Sequence, residues 1–592
     1  MRQGISNSTF PRIPRLHWGA LALLALGVTG SQGSAQSITR VSVTSRGIEG
    51  NGGSSAFTAG GLWGPALSPE GRWIAFESAA SNLVPGDLNA ARDVFLHDRW
   101  SGSTERVSVD SLAAEANGAS GVPALSADGR FVAFESLATN LVAGDTNARR
   151  DVFVRDRQTG LTERVSVSTA GVQANNDCFL PSLSADGRYV AFTSIANSLV
   201  PGDAGGFRDV FIRDRQLGTT ILASVSTAGV QGNANSIDPR LSADGRTLAF
   251  TSLSTNLVPG DVNGMRDIFA RDLVLGVTQL ISLDSAGLQA DFESDHAAVN
   301  TDGRYVAFQS GATNLVPGDT NGSRDVFVRD RTLGTTVRAS VNSTGAQSNF
   351  FSYFPSISAD GQRIAFDSNA TGLVPGDSNG SRDVFLHDRS TGLTTRLSVD
   401  NAGIQGTGTS ALPALSADGL FAVFEAVPAG FVHGDANGAA DVFVRAVDLV
   451  TPPIAAYCTA KVNSQGCTPI LGSSGAPHTS GPDAFRVVAV NVLPNVAGLL
   501  LWSQSSAATP FLGGTLCVGA PIKRLPGQSA VPEGLAQACL GTYSFPFTQA
   551  YFSIQALSAG QTLHAQIWSR DSGFAPPQNI GLSSGLQFTL LP

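Results

Sequence analysis

Seven times along the chain, each 58 residues after the last, an acidic loop recurs whose fullest form is Asp319-Thr-Asn-Gly-Ser-Arg-Asp325. Oxygens at its first, third and seventh positions, wrapped around a glycine turn, are the hard ligands that calcium takes. Asp319, Asn321 and Asp325 are therefore candidate calcium ligands. The other copies supply Asp87, Asn89 and Asp93; Asp145, Asn147 and Asp151; Asp203 and Asp209; Asp261, Asn263 and Asp267; Asp377, Asn379 and Asp383; and Asp435, Asn437 and Asp441. The loop is shorter than an EF-hand loop and lacks its bidentate glutamate. A second reading is structural: Asp and Asn cap turns through their own backbone, and Arg324 beside Asp325 can form an ion pair across repeats and compete with a cation. The copies also differ, with Gly205 in place of Asn in the third and Ala440 in place of Arg in the seventh.

Catalytic constellations are sparse. No Gly-x-Ser-x-Gly elbow is present. The Ser-Ala-Asp-Gly-Arg turns approach the Asp-box of sialidases but misplace its glycine and lack its tryptophan, so they read as hairpins. His97 and His387 fall where other repeats carry Arg or, at Ala270, an apolar residue, and are expected at the surface. His296 and His433 fall near the acidic loops without the paired spacing of a metal site and read as ordinary loop histidines. Cys458, Cys467, Cys517 and Cys539 gather late in the chain. An even number in an exported domain favours disulfides, 458 with 467 and 517 with 539 being the simplest of three connectivities. Cys178 stands alone as a packing residue.

The elements that must hold these loops follow from the same period. A tight turn recurs at Glu70-Gly71, Asp128-Gly129, Asp186-Gly187, Asp244-Gly245, Asp302-Gly303, Asp360-Gly361 and Asp418-Gly419. Asp-Gly between apolar runs is a hairpin signal of type I′. One unit reads as four strands, here Pro181–Ser184, Arg188–Ser194, Asp209–Asp214 and Thr220–Val225. The two middle strands are apolar at nearly consecutive positions, as in sheets covered on both faces. Seven units offer the first three strands, but only six fourth strands follow them. Ile38-Thr-Arg-Val-Ser-Val43 copies Thr104-Glu-Arg-Val-Ser-Val109 and would complete the seventh. The expected fold is all-β: a seven-bladed propeller closed by an N-terminal strand, followed by a small β-sandwich.

The run Leu-Ser-Ala-Asp-Gly-Arg-Tyr-Val-Ala-Phe followed by Asp-Val-Phe-Val-Arg-Asp resembles the WD-like repeat of TolB-type propellers over about residues 37–447. TolB pairs its propeller with an N-terminal α/β domain and works with peptidoglycan-associated lipoprotein. This sequence has a different, C-terminal companion, which resembles modules of exported bacterial proteins.

The domains are then residues 1–35, an export signal; 36–450, the propeller; 451–456, a Pro-rich linker; and 457–592, the sandwich. Arg2, Arg12 and Arg15 precede a short apolar run from Trp18 to Val28 and small residues through Ala35, the pattern of a cleaved secretory peptide. No later segment reads as transmembrane. The chain holds 66 Gly and 29 Pro against 14% charged residues, which suits short strands and many turns. A net charge of −9 argues against a nucleic-acid partner. In such a blade the loop between the second and third strands (the 2–3 loop) and that between the fourth strand and the next blade's first (the 4–1 loop) share one face. The 4–1 loops carry Gly47-Ile-Glu-Gly-Asn51, Gly171-Val-Gln-Ala-Asn175 and kin. The expectation is a monomeric exported binding or scaffold protein that engages a protein, peptide or glycan on that face. The alternative is a propeller hydrolase or lyase with carboxylates at the channel mouth.

Overall fold

Runs such as Val190-Ala-Phe192 and Val210-Phe211 have no polar side to turn to solvent, and each is buried between neighbouring sheets. In the third unit the sheet is Cys178–Leu183, Tyr189–Ser194, Asp209–Asp214 and Thr219–Leu222, paired antiparallel in that order. Phe192 and Phe211 stack at 5.8 Å between ring centroids on the two middle strands, and the same pair recurs from Phe76–Phe95 to Phe366–Phe385. The computed structural model describes residues 38–54 and 63–427, most of 430–447 and, from 455 on, the strands with parts of their connections. The segment read as an export signal, His433, Cys467 and Cys539 lie outside the described residues.

Seven such four-stranded sheets form the propeller. The seventh is built from Thr409–Leu415, Phe421–Val427, Asp441–Ala446 and, outermost, Ile38–Arg40. Ile38 pairs with Arg445 and Arg40 with Phe443, so the N-terminal strand completes this blade as expected. The Ile38 N–H donates to Asn401 Oδ1 at 2.7 Å, and Ser42 Oγ donates to Asp441 Oδ1 at 2.5 Å. Val41, Ile74, Phe76, Val423 and Val442 share one buried cluster, which joins the seventh sheet to the first.

Three local readings need correction. The Asp-Gly turns hold only the glycine at positive φ, Gly129 at 67°, so they are not type I′ turns. The Gly129 N–H bonds back to Ser126 O, and Asp128 Oδ1 accepts from Ser126 Oγ and the Arg130 N–H. Glycine is needed there twice over, because a Cβ would also strike Trp73 of the preceding blade. The first strand begins at Cys178 rather than Pro181, since a bulge between Phe179 and Ser182 breaks its alternation. His97 and His387 are buried, not surface residues. Each Nδ1 sits 2.9 Å from a threonine hydroxyl, Thr104 or Thr394, and burial lowers both rings to about 4. Their fourth-blade counterpart is Arg271, which pairs with Leu248 as His97 does with Ile74, and not Ala270.

Beyond the propeller, Ala455–Cys458 pairs with Gly585–Thr589, so sheet pairing starts inside the stretch read as linker. Strands Thr562–Arg570 and Ala497–Ser503 continue that sheet, and Ile470–Ser474, Arg486–Val492 and Gly541–Pro546 build another. Val487 and Phe545 of the second sheet share a core with Leu500, Trp502 and Ile567 of the first, the packing of a sandwich. Among the described residues no helix is long and apolar enough to cross a membrane.

Candidate functional site

The acidic 2–3 loops turn their polar atoms inward. In the fifth blade Asn321 Nδ2 donates to Asp325 Oδ2 at 2.8 Å and to Ser348 O of the 4–1 loop at 3.0 Å. Asn321 Oδ1 accepts the Ser323 N–H, and Asp325 Oδ1 accepts from Ser340 and Ser348. Arg338 from the fourth strand places Nη1 3.2 Å from both Asp319 Oδ1 and Asp325 Oδ2. Arg324, the neighbour that sequence adjacency suggests, reaches instead to Asp295 at 3.0 Å and Glu293 at 3.3 Å.

The other blades repeat the arrangement with local substitutions. Asn89, Asn147 and Asn379 donate to Asp93, Asp151 and Asp383, while Arg106, Arg164 and Arg396 bridge these to Asp87, Asp145 and Asp377. In the seventh blade Arg40 bridges Asp441 at 3.1 Å and Asp435 at 3.8 Å, and Asn437 donates to Gly50 O. The 4–1 loops do meet the 2–3 loops: Glu115 accepts the Leu88 N–H, and Gln347 Oε1 accepts the Thr320 N–H.

The third and fourth blades carry Leu222 and Leu280 where the arginine stands elsewhere. Gln231 Nε2 takes over, donating to Asp203 and Asp209 at 2.8 Å each, and Gln289 does the same for Asp261 and Asp267. Asn263 donates to Ala290 O. An amide carries no charge, and burial lifts Asp209 and Asp267 to about 6.

Carboxylates converge closely enough for a cation at Asp87, Asp93 and Glu115 and at Glu49, Asp435 and Asp441. In both groups a guanidinium already stands among them, Arg106 3.4 Å from Glu115 and Arg40 2.5 Å from Glu49. At the Asp319, Asn321 and Asp325 set, the Asn321 amide presents N–H rather than oxygen to the carboxylate. The donors present fit an arginine better than a calcium ion.

A different set of residues lies where the inner strands surround a channel of about 300 Å3. Each inner strand from the second blade on is bulged, and the bulged residue takes φ between 48° and 58°: Val122, Leu180, Asp238, His296, Phe354 and Leu412. Gly64 is their counterpart in the first blade. Positive φ is costly for such side chains, yet the conformation recurs while residue type changes. The ring therefore departs from the repeat in chemistry, not in backbone. Asp238 is 2% exposed, with Oδ2 3.4 Å from His296 Nδ1 and Oδ1 3.4 Å from Arg240. The Trp63 ring lies 5.2 Å from His296 and 4.6 Å from the Arg240 guanidinium, and Phe354 meets His296 edge-on at 4.7 Å.

Around this ring stands a collar at the ends of the second strands: Glu77, Glu135, Thr193, Thr251, Gln309, Asp367 and Glu425. Asp367 is fully buried. Burial raises it to about 7 against the pull of Arg382 at 2.7 Å and the Leu412 N–H at 2.8 Å. Sequence reading passed over Trp63, Asp238, Arg240, Asp367 and Arg382 and took His296 for an ordinary loop residue. The available signal was variation: all of these but Arg382, which six of the seven repeats share, are positions at which the 58-residue unit does not copy itself.

No family model and no curated protein matches the chain. Among solved structures it is similar to TolB from Acinetobacter baumannii, at 16% identity and TM-score 0.31, over 52% of this chain and 59% of that one. It is similar to a putative TolB from Agrobacterium tumefaciens at 16% identity and TM-score 0.32, over 59% and 95%. It is also similar to an oligogalacturonate lyase in complex with manganese at 12% identity and TM-score 0.42, over 71% and 95%. The chain is an all-β protein built on seven repeated four-stranded blades.

Proposed function

We propose that the chain is an exported, non-enzymatic binding protein that engages a protein, peptide or glycan at the channel mouth, on the face carrying the 2–3 and 4–1 loops. The carrying observation is where the repeat fails. The frame copies itself blade after blade, while the bulge ring runs Gly64, Val122, Leu180, Asp238, His296, Phe354, Leu412. A ring with only a structural task has no reason to vary there, whereas a binding site needs unlike groups at its centre. Aromatic walls beside a carboxylate and a guanidinium suit a partly apolar ligand with polar edges. The acidic loops shape the rim, with arginine in the place of a metal ion in five blades and a glutamine amide in the third and fourth, and the protein acts as a monomer without calcium. In the C-terminal domain the cysteines pair 458 with 467 and 517 with 539; peptide mapping without reduction checks this, and any other pairing overturns it.

The test is a screen of peptide and glycan arrays with the signal-free protein. Ligands should lose binding to Trp63→Ala and His296→Ala variants and keep it for Arg130→Ala, on the hairpin face. Ligands indifferent to both mouth substitutions would refute the reading. A hydrolase or lyase is the second reading, favoured by Asp367 at about 7 and the Asp238–His296 approach. Release of products from an array ligand, detected by mass spectrometry, would establish it in place of simple binding.

A further inference from the structure

In three blades the collar acid has two tasks. It holds the arginine just before the third strand of its own blade, and it accepts the bulge N–H of the next. Glu77 takes Arg92 and the Val122 N–H, Glu135 takes Arg150 and the Leu180 N–H, and Asp367 takes Arg382 and the Leu412 N–H. In the fifth blade Gln309 accepts the Phe354 N–H while Asp295 serves Arg324.

The third and fourth blades have threonine there, and both tasks go unfilled. Thr193 and Thr251 are buried at 0% and 1% exposure, and neither hydroxyl makes a hydrogen bond. The N–H groups of Asp238 and His296 thus lack the side-chain acceptor their counterparts have. Among the described residues Arg208 makes no ion pair, and Arg266 comes only to 4.0 Å from Asp295, a carboxylate already held by Arg324. Between these two arginines lies a cavity of about 60 Å3, lined also by Asn235, Thr251 and Ser252. That is room for one small planar group, about two waters in volume. The buried Thr251 hydroxyl in its lining is without a partner, which is costly, and the two guanidiniums define the sign of what is missing.

We propose that this gap between the third and fourth blades is a carboxylate-binding site, in which a ligand's carboxylate takes the place that Glu77 and Glu135 fill from within the chain. The inference rests on the binding reading above and names the group recognised. A carboxylate is favoured over other anions because the chain itself completes the equivalent positions with one, held by arginine and a backbone N–H. The carrier can be an acidic peptide or a uronic-acid oligosaccharide, and the experiment separates them.

Calorimetric titration is carried out with a glutamyl peptide and its glutaminyl counterpart, and with a uronic-acid oligosaccharide and its methyl ester. At least one acid should bind and its neutral counterpart should not, and that pair identifies the carrier. Thr193→Glu restores the internal acid, so the blade should stay folded while affinity falls at least tenfold; Arg208→Gln should weaken binding to a similar degree. Equal affinity for acid and neutral forms, binding unchanged in Thr193→Glu, or no carboxylate-dependent binding at all overturns the proposal. If array ligands still depend on Trp63 and His296 while Thr193→Glu changes nothing, the carboxylate site falls and the binding reading stands.

Discussion

A single position at the end of the fourth strand sets the chemistry of each acidic loop. Where it is arginine, the loop holds a buried cation of its own: the Arg338 side chain is 10% exposed between Asp319 and Asp325. Removing one member of such a cluster leaves buried charge uncompensated, at a cost of about 3–5 kcal/mol. Arg338→Gln is therefore expected to lose that much stability in urea denaturation, and millimolar calcium should leave the wild-type melting temperature unchanged. A calcium-dependent rise in wild type would show that the loops take a metal after all. The ligating oxygens were legible in the sequence; their partner was not. Arg324 and Asp325 are adjacent, and neighbours on an extended chain point to opposite faces. Arg338 comes to the site through strand pairing, which reading along the chain does not reveal.

Among elements, the third and fourth blades are the odd pair, with Leu222 and Leu280 at that position and threonine in the collar. Burial raises Asp209 and Asp267 to about 6, so between their unfolded value near 4 and that pH the folded state binds more protons than the unfolded one. Their contribution to stability is most favourable below pH 4 and declines as pH rises to 6. Asp156 and Asp330 oppose this trend: Arg130 and Arg304 hold them below the usual range, so they stabilise above pH 4 and lose that effect in acid. The two parts separate in a Leu222→Arg, Leu280→Arg variant, which gives these blades the guanidinium of the others. Its gain in melting temperature over wild type should grow from pH 4 to pH 7; a gain independent of pH would refute the assignment. Strand order was readable from the 58-residue period. The bulge was not, because a one-residue insertion shifts side chains between faces and erases the alternation that marks a strand. The channel site sits on that bulge, so the feature that hid the strand also hid the site.

For the molecule as a whole, the first strand of the described residues belongs to the seventh blade. Counting seven sets of three strands and six fourth strands was enough to expect this, since an unpaired edge on the seventh sheet would be a liability. The pairing joins residues almost the full propeller apart, Ile38 with Arg445, and its side chains enter two different cores: Ile38 packs in the cluster with Phe424 and Phe443, and Val41 in that with Ile74 and Phe76. Ile38 and Val41 are each 1% exposed, and burying such side chains is worth about 1.5–3 kcal/mol apiece. The Arg40 pairing to Asp441 adds to this. Starting the chain at Thr44 instead of Gln36 should therefore cost at least about 3 kcal/mol. It should also bare the Asp441–Ala446 edge, giving concentration-dependent association in light scattering. Adding the peptide 36–43 in trans should reverse both effects, because the groove it leaves keeps the Asn401 and Asp441 acceptors. A truncated chain that melts with the longer one and stays monomeric would mean that the seventh blade holds without its outer strand, and that the N-terminal pairing is ornamental to the ring.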